Sequence, residues 1–237
     1  MSGHSKWRQI KRQKGASDEK KGKIFSKLIR AVTIAAKEGG ADPAANFKLR
    51  LAIEKARAAN MPQDNIERAV KKATGEGSSQ LESIMYEAYG PGGIALLVEA
   101  LSDNRNRTTS EIKNILAKNN GRLGEANSVR WLFEEKGVII VDPESKSKDE
   151  IELVAIDAGA EDIQADENEI TVITNKEDCQ SVKNKLAEKY KITAAEIQLV
   201  AKNKVEIESE KKWQSIQNLI ESLEEQEDVN QVYTNIA

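Results

Sequence analysis

The chain has 237 residues with a formal charge of −3, one histidine and one cysteine. Hydrophobic residues make up 39% and aromatics only 4%, which favours several small cores over one large one. A lone cysteine excludes an internal disulfide, no apolar run reaches the length of a membrane span, and the basic N-terminus lacks the apolar stretch of a secretory signal. The expectation is a cytoplasmic protein without membrane contact. Charge is strongly segregated: residues 1–75 carry 18 Lys+Arg against 7 Asp+Glu, whereas the remaining 162 carry 18 against 32. A basic module on an acidic body points to a polyanionic partner for the basic end.

In chain order, residues 1–16 show no helical period and read as a basic arm. A first helix is predicted from Asp18 to Glu38, stopped by Gly39-Gly40. Asp42-Pro43 predicts the start of a second helix through Ala59, and Asn60-Met61-Pro62 that of a third, with Ile66, Ala69, Val70 and Ala73 inward. Gly75–Ser79 reads as a linker. Beyond it the period shortens, predicting strands over Leu81–Tyr89 and Ile94–Leu101 joined by Gly90-Pro91-Gly92-Gly93, then a helix from Thr109 to Asn119.

Residues 137–201 then give strand, helix, strand, strand, helix, strand. That order is the signature of a ferredoxin-like sandwich. A last helix from Glu210 to Glu225 and a strand from Asn230 to Thr234 would complete the sheet begun at Leu81. The fold class is therefore α+β, a three-helix N-terminal domain followed by two α+β, ferredoxin-like domains. The expected boundaries are 1–77, 78–136 with 202–237, and an inserted 137–201.

The first helix carries the clearest chemistry. Lys20, Lys23, Lys27, Arg30 and Lys37 fall in one sector about 100° wide, beside an apolar face centred on Ile24, Leu28, Ala31 and Ala35. Such a stripe is either a solvated helix face or a track for phosphates. The arm adds Lys6, Arg8, Lys11, Arg12 and Lys14 around Trp7, whose ring could stack on an unpaired base. Together these residues point to nucleic acid, with a protein-interaction scaffold whose basic module meets an acidic protein as the alternative. Arg105 and Arg107 precede a capping box formed by Thr108 and Glu111, so two cations stand at a helix N-terminus against its dipole. Their counter-charge is a phosphate of nucleic acid or a carboxylate of the protein, Asp103 or one from another domain.

Signals for catalysis are thin. His4 is the only histidine, Cys179 falls within a helical segment, and no phosphate loop or dinucleotide fingerprint occurs. The acidic run at 221–228 reads as a solvated helix end. No enzyme activity, cofactor, metal or small-molecule substrate is expected, although Ser2-Gly3-His4 could hold Cu(II) or Ni(II) if Met1 is removed.

Several stretches in one order resemble the YebC/PmpR family, which includes the mitochondrial translational activator of cytochrome c oxidase. They are Ser2–Trp7, Gly22–Arg30, Asn60–Lys72, Tyr86–Gly93, Asp103–Thr108 and Gly121–Phe133. Arg12-Gln13 and Ala88 depart from the family pattern, which has His-Arg and glycine there. The resemblance implies three α/β domains and no catalytic role. It implies a DNA-binding transcriptional regulator or, as in other members, a factor acting on the ribosome and its rRNA in translation. The basic region then maps onto Lys6, Trp7, Lys11, Lys14, Lys23, Lys27 and Arg30, and the central arginine motif onto Arg105 and Arg107.

Overall fold

The computed structural model describes residues 18–74, 80–143, 147–166 and 169–236. The basic arm and the Gly75–Ser79 linker lie outside the described residues. Among the described residues no helix is long and apolar enough to cross a membrane. By their contacts they divide into two compact units, 18–132 with 203–236, and Phe133–Lys202.

Helix α1 spans Asp18–Gly39 and ends where Gly40 turns left-handed at φ 89°. Its most buried side is centred on Val32, which with Leu28, Ala35 and Ala36 packs against α2 (Phe47–Ala58) and α3 (Gln63–Thr74) through Leu49, Ile53, Ile66 and Ala69. Ile24 is 43% exposed, so the apolar face is rotated from its predicted centre. A second face of α1 buries Ile34 with Leu81 and Leu101, tying the helices to the sheet that follows.

The second helix begins four residues later than Asp42-Pro43 predicts. Asp42 instead closes its own turn, accepting from Ala44 N–H through its side chain and from Asn46 N–H through its carbonyl. The cap is Asn46, whose Oδ1 accepts from Leu49 N–H at 3.0 Å. Its Nδ2 donates to Ala35 O and Gly40 O at 2.7 and 2.8 Å. One buried amide thus ends α1 and starts α2.

Strands β1 (Glu82–Tyr89) and β2 (Ala95–Ser102) pair antiparallel, from Glu82 opposite Ser102 to Tyr89 opposite Ala95. Gly92 and Gly93 make the connection with φ of 77° and 79°. Then follow α4 (Arg105–Lys118), the short β3 (Arg122–Leu123) and a 3-10 turn at Arg130–Leu132.

In the other unit β4 (Phe133–Asp142), α5 (Lys148–Ala158), β5 (Asp162–Ala165), β6 (Ile170–Asn175), α6 (Cys179–Ala187) and β7 (Lys191–Ala201) follow one another. Their sheet order is β5-β6-β4-β7, with the first strand of the unit central, the ferredoxin-like arrangement. Gly137 lies where a side chain would collide with Cys179, its would-be Cβ only 2.8 Å from the Sγ.

The chain returns to the first unit through α7 (Glu210–Glu225) and β8 (Val229–Thr234). Strand β8 pairs with β2, giving the order β3-β1-β2-β8. This strand order differs from that of the 133–202 sheet, although the layering is alike. Alternate residues Ile84, Tyr86, Ala88, Leu96, Val98 and Ala100 face Ile112 and Leu116 of α4 and Ile216, Leu219 and Leu223 of α7.

Replacing Asn46 tests the shared cap. Asn46→Ala leaves two helix-end carbonyls and one N–H without their partner, and should lower stability by about 2 kcal/mol. Urea denaturation reads this; an unchanged midpoint would contradict the assignment.

Candidate nucleic-acid interface

The basic sector of α1 does not face solvent as a whole. Lys27 Nζ donates to Glu224 O at 2.5 Å, on the last turn of α7. Arg30 Nη1 donates to Glu227 O at 2.9 Å and to Asp228 Oδ1 at 2.5 Å, and lies 3.5 Å from Leu101 O. Lys37 Nζ reaches Leu81 O at 3.0 Å. The carbonyls at the end of a helix carry partial negative charge and lack intrahelical donors, so Lys27 completes the end of α7, while Arg30 binds the turn that follows it. Lys23, one turn before Lys27, is exposed and has no hydrogen bond or ion pair among the described residues. The side chain of Lys20 lies outside the described ones, as do Lys6, Trp7, Arg8, Lys11, Arg12 and Lys14.

The acidic run after α7 is not merely a solvated helix end. Asp228 is buried, its side chain 2% exposed, in the turn between α7 and β8. Besides Arg30, it receives Arg107 Nη2 at 2.9 Å and the Thr108 hydroxyl at 2.6 Å, both on Oδ2. The Ser102 hydroxyl lies 3.2 Å from the same oxygen. Backbone bonds anchor the turn: Leu101 N–H donates to Asp228 O, and Asp228 N–H to Gln226 Oε1, each at 2.7 Å. Burial alone would raise the carboxyl's pKa. The hydroxyl of Thr108, the guanidinium of Arg107 and the charge of Arg30 outweigh it, and the pKa lies below the usual aspartate value.

Helix α4 also starts earlier than its predicted capping box. Asn104 is the cap, accepting from Arg107 N–H at 3.1 Å, so both arginines lie in the first turn. Thr108 is freed from capping because its hydroxyl is committed to Asp228, a carboxylate distant in sequence. Arg107 bridges Asp103 Oδ1, at 2.9 Å, and Asp228, which hold its guanidinium more firmly protonated. Of the two counter-charges the sequence leaves open, Arg107 has the internal one. Arg105 is exposed, and its guanidinium has no partner among the described residues. The open depression beside Asp228 is lined by both signs, including Glu111 and Glu227.

The structure therefore joins Arg30 and Arg107 at one carboxylate and leaves Lys23 and Arg105 outward. Lys71 and Lys72, at the end of α3, are exposed as well, though no charge pattern in the sequence singles them out. Among the described residues no group of three His, Cys, Asp or Glu could hold a metal ion. Cys179 is buried, and burial raises its thiol pKa.

Comparison with known proteins gives one consistent result. A family model for the TACO1/YebC protein N-terminal domain matches residues 5–76, and one for the TACO1/YebC second and third domain matches 81–236. The chain is 49% identical to a probable transcriptional regulatory protein of Desulfotalea psychrophila, covering 99% of this chain and 95% of that one. It is 48% identical to a protein of the same description from Thermoanaerobacter pseudethanolicus, with 100% and 97% covered. The crystal structure of a conserved hypothetical protein from Aquifex aeolicus superposes with a TM-score of 0.86 at 43% identity, over 93% of this chain and 91% of that one.

The Asp228 cluster sets a pH dependence. A carboxyl whose folded pKa is depressed stabilises the fold fully above its unfolded value, near 3.8, and loses that contribution as pH falls through the lower folded value. Asp228→Asn should therefore be less stable than wild type by a constant amount above about pH 5, with the gap closing in more acid solution. Asp228→Ala should lose about 3 kcal/mol at neutral pH. Urea midpoints from pH 7 down to the acid limit of folding test both.

Proposed function

Since the chain belongs to the TACO1/YebC family, we propose that it is a non-enzymatic regulator of gene expression that works by binding nucleic acid. Transcription is the process named for its relatives, so duplex DNA is placed first as target. The observation carrying this reading is the excess of 18 basic over 7 acidic residues in positions 1–75, set against an acidic remainder. Intramolecular acceptors take Lys27 and Arg30. Lys23, Lys71 and Lys72 remain exposed, with Arg105 outward on α4. Phosphates bound by these groups release counterions, the main source of sequence-independent affinity. The acidic remainder limits indiscriminate adsorption along the polymer.

A second reading, a structured RNA such as rRNA in the ribosome, draws support from the same charge distribution. A remainder carrying 18 basic against 32 acidic residues is repelled by a long duplex running alongside it, and less by a compact site reached by the basic end alone. In both readings the protein acts in the cytoplasm and needs no cofactor.

The pairing at Asp228 separates two classes of basic residue. Lys23→Glu with Arg105→Glu should weaken binding at least about tenfold, lower the salt slope and leave thermal stability within about 0.5 kcal/mol. Arg30→Glu sets a carboxylate against Asp228 and should destabilise the protein outright. Anisotropy titrations of labelled duplex DNA and rRNA fragments, repeated over a range of salt, measure the first; thermal melts measure the second. A salt-independent affinity would overturn the proposal.

A further inference from the structure

The loop from β3 to β4 presents an indole to solvent: Trp131 is 63% exposed on the 3-10 turn Arg130–Leu132. A single exposed apolar residue needs no explanation. This one differs in how firmly it is held and in what stands beside it. Its Nε1 donates to Ser128 O at 3.1 Å, and the Tyr89 hydroxyl donates to the same oxygen at 3.3 Å. The guanidinium of Arg122 lies over the Tyr89 ring, 4.6 Å from its centre, and has no hydrogen bond or ion pair among the described residues. Indole, phenol and guanidinium are thus linked in one cluster.

The support beneath the cluster is a carboxylate. Glu87, on β1, accepts from the backbone N–H groups of Asn127, Val129 and Arg130 at 2.5, 2.7 and 2.8 Å. Burial works against its charge, but these three bonds and nearby Arg130 hold its pKa below the usual glutamate value. Asn127 sits in the left-handed region at φ 64°, and Gly124 N–H is bound to Glu87 O at 2.8 Å. A loop fixed this many times loses little entropy when its aromatic ring is covered.

We propose that this loop is a second nucleic-acid contact, in which an unpaired base of a single-stranded segment stacks on Trp131 while Arg122 receives a phosphate. The inference rests on reading the protein as a nucleic-acid binder and adds which form of nucleic acid this surface takes. Every base has a π-face, so an oriented indole is a sequence-tolerant platform. A guanidinium with one face on a tyrosine still offers its edge N–H groups to phosphate oxygens. In a duplex the bases are stacked on one another, so the platform selects loops, bulges and single strands.

The test uses the full chain and three labelled probes: an oligouridine, an oligothymidine of equal length and a duplex. Trp131→Ala should weaken binding to both single strands about tenfold with the salt slope unchanged, since stacking releases no counterion. Trp131→Phe should recover most of that loss. Arg122→Ala should reduce the magnitude of the salt slope by about 0.7 on single strands. Duplex affinity should be unaffected by Trp131→Ala. Wild-type affinity of Trp131→Ala for single strands, beside a wild-type protein that does bind them, overturns the stacking site alone. A wild-type protein that binds none of the probes overturns the nucleic-acid reading and the stacking site with it.

Discussion

One buried carboxylate organises the larger unit. Asp228 receives a cation from the N-terminal helix, a cation and a hydroxyl from the first two turns of α4, and approaches a hydroxyl at the end of β2. Those groups come from two separate stretches of chain, one around Arg30 and one over Ser102–Thr108, and the acceptor itself comes from a third, close to the C-terminus. The sheet cannot be completed without β8, and β8 begins one residue after Asp228. Apolar packing of Ile34 on Leu81 and Leu101 brings α1 to the sheet, and the Arg30–Asp228 ion pair with the hydrogen bonds of Lys27 and Lys37 holds it there. A removed partner leaves charge without compensation at a buried position, which is the costly case for ion pairs.

This cluster changes how the basic surface is to be understood. A stripe of cations on a helix invites the idea that all of them meet one ligand. Here the stripe is divided along its length, with Lys27 and Arg30 bound to the end of α7 and the turn after it and Lys23 left outward. The division follows from geometry, because a terminal carbonyl of α7 attracts Lys27 and the buried carboxylate of Asp228 attracts Arg30. The proposed polymer contact therefore falls on the start of α1 together with the arm that precedes it. The Trp131 loop, held by Glu87, is a separate surface of the same unit and supplies a stacking platform with one cation, Arg122, beside it.

Much of the architecture was legible from period and punctuation. Gly39-Gly40 marks the end of α1 because Gly40 adopts a positive φ, and the alternation of β1 reflects a strand with one face on a core. The βαββαβ order of 137–201 identified its sheet because that connectivity has few solutions. Helix starts are less legible. Asp42-Pro43 and Thr108-Glu111 both have the grammar of a cap, yet Asn46 and Asn104 perform it. In each case tertiary bonds decided: Asn46 also serves the end of α1, and Thr108 is required by Asp228. Asp228 itself stood in a run of acidic residues that resembled solvated charge. The signal that could have found it was the pair of arginines at a helix N-terminus, which demanded an anion from somewhere. Trp131 carried no periodic signal, since its role depends on a loop held by a glutamate on a strand distant in sequence.

The proposed grip of the basic end on a phosphate polymer is tested most directly by ultraviolet crosslinking in living cells. Crosslinked peptides are identified by mass spectrometry, and the attached DNA and RNA are sequenced. The account predicts crosslinked peptides concentrated in residues 1–75, around Arg105 and at Trp131, on a reproducible set of sequences. Crosslinks confined to residues 137–201, or none above a control lacking irradiation, would contradict it.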